Sequence, residues 1–150
     1  TQRQCRCSSA QIQHYRSRIS GPLLDRIDLH VEVGPVSDEQ LLRHPRGEPS
    51  ATVRERVVAA RARQAARFGD STVRTNAQMG PKQMREACEL DSASQSMMRL
   101  AIRDLNLSAR AYDRILRLAR TIADLDGASA IDPDHLSEAI QYRNLDRQLW

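Results

Sequence analysis

Two arginines stand where a guanidinium could act on an anion. In Gly21-Pro22-Leu23-Leu24-Asp25-Arg26-Ile27-Asp28-Leu29, Arg26 lies between a turn and an alternating apolar run. A guanidinium fixed on such an edge suits bidentate contact with phosphate or carboxylate. Taken alone, the segment favours the local alternative, an ion pair with Asp25 or Asp28. Arg110 follows Leu107-Ser108-Ala109 and falls in the first turn of an expected helix. The helix dipole disfavours a cation there unless an anion is close. A phosphate held by the N-terminal amides and Arg110 would supply one; a solvated arginine fits the same sequence.

Other chemistry is sparse. Cys5 and Cys7 are two thiols where a structural zinc site needs four ligands, so by themselves they read as free thiols. Cys88 reads as core, and His14, His30, His44 and His135 are dispersed. The six glycines are scattered, with neither GxxxxGK[ST] nor GxGxxG, which excludes an autonomous P-loop nucleotide hydrolase. No HExxH, acidic pair or Ser/His/Asp arrangement is recognisable. Arg56, Arg63 and Arg67 share one face of an expected helix, with Arg54 and Arg61 nearby, and could meet DNA phosphates. They lack the interleaved aromatics that would stack bases.

The elements that position these residues are mostly helical. Ser8 or Ser9 can cap a helical turn through Gln11–Arg18, broken by Gly21-Pro22. Ile27, Leu29, Val31 and Val33 then alternate with Asp28, His30 and Glu32, predicting one strand whose sheet must lie upstream. Residues 37–51 read as a linker. Thr52 with Glu55 forms a capping box for a helix from Val53 to about Phe68, its inward stripe including Val53, Val57 and Ala60. Gly69-Asp70 ends it, and a polar loop follows to Gly80. Pro81 suits the first position of a short helix through Cys88. Asp91, Ser108 and Asp132-Pro133 open three more. Their inward faces are Met98, Ala101, Ile102 and Leu105; Tyr112, Ile115, Leu116, Ala119, Ile122 and Ala123; and Leu136, Ala139 and Ile140.

The composition agrees. The chain has 150 residues, 40% hydrophobic and 28% charged, which suits a globular fold. Aromatics at 3% disfavour a β-sandwich and suit a helical core. No apolar run reaches the roughly 18 residues of a transmembrane helix. The net charge is +4. Residues 1–75 hold 13 basic and 8 acidic side chains, and residues 76–150 hold 10 and 11, so the basic excess sits in the first half. The N-terminus lacks an apolar signal region and reads as a cut inside a longer protein. Three cysteines without secretion features suggest a cytoplasmic setting.

Several long motifs together resemble a known family. Tyr15-Arg16-Ser17-Arg18-Ile19-Ser20 with the Gly21–Leu29 run looks like the end of the ATPase core in magnesium-chelatase-like AAA+ proteins of the ComM/YifB type. Leu107-Ser108-Ala109-Arg110-Ala111-Tyr112-Asp113-Arg114-Ile115-Leu116, Arg120-Thr121-Ile122-Ala123-Asp124-Leu125 and Glu138-Ala139-Ile140-Gln141-Tyr142-Arg143 look like its C-terminal lid. The resemblance covers residues 5–147 in the expected order.

It implies a mainly α fold. Residues 1–36 would be a remnant of an α/β core with one strand, partly disordered without the rest, and residues 52–150 a helical lid. It places Arg26 as an arginine finger acting on a neighbouring subunit's nucleotide, and Arg110 at the sensor-2 position, in cis or in trans. Cys5 and Cys7 match half of a cysteine cluster that could bind zinc in full-length relatives. ATP and magnesium would be bound by the full-length protein and not by this chain, which lacks the Walker motifs. The expected partners are its own upstream core, neighbouring subunits of a hexameric ring, and DNA, with a role in branch migration or competence. A helical DNA-binding module and a subunit of a true magnesium chelatase are the alternatives.

Overall fold

A computed structural model describes residues 6–43 and 47–143. Within them, local signals place most helix ends. Ser8 caps α1 (Ser9–Arg16), its hydroxyl accepting from the Gln11 amide while the Gln11 side chain accepts from the Ser8 amide. Proline in its first turn starts α2 (Gly21–Leu24). Ser37 and Gln40 cap α3 (Asp38–Arg43) in the same reciprocal way as α1, so the expected linker contains a helix.

The long helix α4 spans Ser50–Phe68 and ends at Gly69 with φ of +52°, a left-handed conformation that glycine adopts freely. It begins ahead of the expected Thr52 cap, with extended Pro49 as the capping position. Then follow α5 (Pro81–Ala87), α6 (Ser92–Asp104), α7 (Ala109–Asp126) and α8 (Pro133–Gln141). Asp91, Ser108 and Asp132 cap the last three through their side chains, as expected. Asn106 turns the chain between α6 and α7 with φ of +48°, a conformation asparagine tolerates better than most residues.

The core is built around α7. Its Ile115, Leu116, Ala119 and Ala123 are buried, as are Leu136 and Ala139 of α8, Met98 of α6, Met84 of α5 and Phe68 of α4. Ala119, Ala123 and Ala139 are completely inaccessible, and such small side chains let α7 and α8 approach closely. The loops entering α6 and α8 meet in a parallel bridge, Leu90 to Ile131.

Three further expectations change. The alternating run 27–33 joins no sheet among the described residues, because a strand needs a ladder partner and none is present. Its apolar side chains stay exposed, Val33 at 85%. The buried stripe of α4 is Ala60, Gln64 and Phe68; Val53 and Val57 stay part-exposed in a groove beside Ile122 and Leu125. The stretch from Asp70 to Gly80 is not simply a polar loop, since it buries Asn76 and Met79 around a 3-10 turn at Asn76–Gln78.

Burial pushes the Cys88 thiol up to about 11, against the opposing pull of Arg120, Arg67 and Arg117. At neutral pH it is protonated and enclosed, so thiol reagents should modify it only on unfolding, checked by mass spectrometry with and without denaturant. Leu136→Ala should lower stability by about 2–5 kcal/mol, whereas exposed Val58→Ala should stay within about 0.5 kcal/mol. Chemical denaturation of the two variants measures both.

Candidate functional site

The two arginine-bearing segments meet. Leu24 is buried, and the turn after it lies against the start of α7 and the end of α8. The Ser108 hydroxyl accepts from the Ala111 amide and donates to the Asp25 carboxylate at 2.9 Å. Asp28 forms an ion pair with Arg114, one turn along α7 from Arg110. Arg143, just past α8, has a side chain only 1% exposed and donates to the carbonyls of Ile27 at 2.5 Å and Leu24 at 3.4 Å. Its second terminal nitrogen lies 3.8 Å from Asp25. The His30 amide donates to the Tyr142 carbonyl at 2.9 Å.

These contacts dispose of the local alternative for Arg26. Asp25 is held by Ser108 and Arg143, and Asp28 by Arg114. Arg26 and Arg110 are both exposed, and among the described residues neither side chain has a hydrogen bond or ion pair. The first turn of α7 contains no acid of its own. Asp25, brought in through the Ser108 cap, is the nearby anion that the helix dipole favours. The seam thus presents two available guanidiniums on ordered backbone, an arrangement suited to phosphate oxygens.

The expected DNA-binding face is largely engaged within the chain. Arg56 pairs with Glu48 at 2.6 Å, and Arg63 donates to the Asp124 carbonyl at 3.0 Å. Arg67 forms an ion pair with the Asp124 carboxylate and donates to the Asn76 side-chain oxygen at 3.0 Å. Asn76 in turn donates to Asp124 at 2.8 Å and to Thr121 at 3.1 Å. Arg120, one turn before Asp124, lies 3.2 Å from its carboxylate and donates to the carbonyls of Ala128 and Ser129. Gly127 is confined to this corner. Its φ is +82°, and an added Cβ would lie 3.0 Å from the Arg63 guanidinium.

Asp124 is fully buried. Burial opposes its ionisation most strongly, but the hydrogen bonds from Arg67 and Asn76 and the charges of Arg67 and Arg120 prevail. Its carboxyl is held below the usual carboxylate range. Sequence reasoning took Arg67 as a DNA contact and missed this network. Its one local signal is an acid four residues after an arginine on the inward side of α7.

For zinc, the chain offers little to test. Cys5 lies outside the described residues and Cys7 is exposed. No three His, Cys, Asp or Glu side chains among the described residues gather as metal ligands. No described helix is long and apolar enough to cross a membrane.

Residues 47–143 match the family described as magnesium chelatase, subunit ChlI C-terminal. The chain belongs to this family. Residues 1–41 match the companion description, magnesium chelatase, subunit ChlI. The seam joins the two matches, with Asp25 and Asp28 from one and Ser108, Arg114 and Arg143 from the other. The chain is 42% identical over 146 residues to competence protein ComM of Haemophilus influenzae and 41% identical to the uncharacterized protein YifB of Escherichia coli. It is also 34% identical over 139 residues to the uncharacterized protein Rv2897c of Mycobacterium tuberculosis. The first two alignments cover 96% of this chain and 28% of each relative; the third covers 93% and 27%. The chain therefore spans just over a quarter of the length of these relatives.

In this ChlI C-terminal domain, the depressed folded value of Asp124 sets the sign of its acid dependence. Its contribution is full above the unfolded value near ~3.9 and is lost as pH falls through the lower folded value. Asp124→Ala should lower stability by about 3–5 kcal/mol, the cost of leaving buried arginines without their partner. Thermal melts from about pH 7 to 2 should show a shallower acid limb for Asp124→Asn than for the parent chain.

Proposed function

We propose that this chain is the lid and sensor region of an ATP-dependent, ring-forming AAA+ motor acting on DNA. Residues 1–36 belong to the end of its ATPase core, residues 37–51 connect, and residues 52–150 form the lid. Arg26 acts as an arginine finger on the nucleotide of a neighbouring subunit, and Arg110 as sensor 2. ATP and magnesium would be bound by the full-length protein, where the metal would supply positive charge against the phosphates. This chain's part is to place a guanidinium at the γ-phosphate and to move with the nucleotide state.

One observation carries the reading. The acids flanking Arg26 are committed to Ser108, Arg114 and Arg143, which leaves Arg26 and Arg110 exposed and available beside a shared seam. Ring assembly follows from a finger that acts in trans. The DNA role is supported by the family resemblance and by a relative named a competence protein. A DNA-binding module built on α4 has less support, since Arg56, Arg63 and Arg67 already hold partners within the chain.

In the full-length protein, Arg26→Ala should reduce ATP turnover by about 10³-fold or more, the scale of a lost arginine finger. Arg110→Ala should remove most activity as well. Both side chains are exposed, so melting temperatures should hardly move. Near-parental turnover in both variants, measured by phosphate release, would falsify the assignment.

A further inference from the structure

The last motif of the sequence, Glu138–Arg143, ends in a buried arginine. Arg143 stands just past α8, and its side chain, 1% exposed, reaches across the seam to the turn that carries Arg26. That turn is closed by its own backbone. The Arg26 amide donates to the Leu23 carbonyl and the Ile27 amide to the Leu24 carbonyl, both at 3.0 Å. One nitrogen of Arg143, Nη1, donates to the Leu24 carbonyl at 3.4 Å and to the Ile27 carbonyl at 2.5 Å. Its Nη2 lies 3.8 Å from Asp25. Further along, the Tyr142 carbonyl accepts from the His30 amide at 2.9 Å. Tyr142 and Arg143 therefore hold the segment at residues 24, 27 and 30, on both sides of Arg26.

The chemistry of an enclosed guanidinium favours placement over stability. A buried arginine adds little net stability over an apolar side chain of its volume, because taking its charge out of water is costly. Its planar fork fixes direction instead, since one group meets several acceptors in a set geometry. Here the acceptors Leu24, Asp25 and Ile27 lie within four consecutive residues, and Arg26 is the fourth. Leu24 is buried, Asp25 is taken up by Ser108 and Arg143, and Asp28 pairs with Arg114. The cation that this frame leaves exposed is Arg26.

We propose that Arg143 is the positioning residue for Arg26. It ties the backbone before and after Arg26 to the end of the lid's last helix, so the lid sets the reach of the Arg26 guanidinium toward a nucleotide. The proposal rests on the finger reading of Arg26 given above and adds to it a residue from the other end of the chain. Arg143 itself is enclosed and acts through the turn, not on the nucleotide.

The test uses the full-length protein carrying Arg143→Ala or Arg143→Lys, with ATP turnover followed by phosphate release and folding by circular dichroism. Lysine keeps the buried charge but lacks the fork. Misplacing a reacting group by about 1 Å can cost about 10²-fold, so kcat should fall about 10²-fold in Arg143→Ala and about tenfold in Arg143→Lys. KM for ATP should stay within about threefold, since the variant's own nucleotide contacts are untouched.

Mixing subunits separates positioning from support of the fold. Subunits with a disabled nucleotide pocket but an intact finger should restore part of the turnover to either Arg143 variant. Arg26→Ala subunits should not, because neither partner then supplies a well-placed finger. Parental kcat in both Arg143 variants, no recovery with the pocket-disabled subunits, recovery with Arg26→Ala subunits, or loss of fold in both variants would overturn the proposal. Parental turnover in Arg26→Ala would overturn the finger reading and this proposal with it. An inactive Arg26→Ala beside fully active Arg143 variants rejects the positioning role alone.

Discussion

The buried carboxylate of Asp124 is the interaction on which the bundle depends. Arg67 reaches it from α4, Asn76 from the 3-10 turn and Arg120 from within α7. Arg120 also binds the carbonyls of the turn leading toward α8. Side chains from α4, the 3-10 turn and α7 itself thus converge on one anion in a space that apolar packing alone would leave poorly specified. Its satisfied lone pairs matter as much as its charge, since a half-satisfied polar group at this depth is costly.

The seam at the other end of α7 follows a different logic. Charges there are paired across elements rather than within them, and most of the pairs are partly exposed. Asp25 and Asp28 turn away from the arginine between them and toward α7 and the end of α8. Arg26 is left available because its neighbours are occupied, and Arg110 because its helix contributes no acid to its own first turn. Both are exposed, which is the condition the proposed finger and sensor roles require.

Much of this fold was legible in local patterns. Ser8, Asp91, Ser108 and Asp132 are read as caps from residue type and spacing, and each caps a helix through its side chain. The apolar faces of α6, α7 and α8 follow from periodicity in the same way. The facing of α4 did not. Its valines look like an inward stripe, yet Gln64 and Phe68 are turned in, because Gln64 accepts from the buried Asn76 amide and Arg67 must reach Asp124. That choice depends on partners tens of residues away, which periodicity does not encode. Alternation in 27–33 was equally persuasive, but a strand exists only with a neighbour to complete its ladder. For the site, the two arginines were visible from type and position, while the pairing of the acids around them was not.

The Ser108 hydroxyl does two jobs with one oxygen. It closes the first turn of α7 by accepting from the Ala111 amide, and it anchors the 21–28 segment by donating to Asp25. Detaching that segment removes the carboxylate that orients the hydroxyl and stabilises the helix start, so the turn bearing Arg110 frays more readily. By reciprocity, whatever stiffens that turn also tightens the grip on Asp25. Order on one side of the seam is therefore coupled to the other through this hydroxyl, alongside the links that Arg114 and Arg143 make.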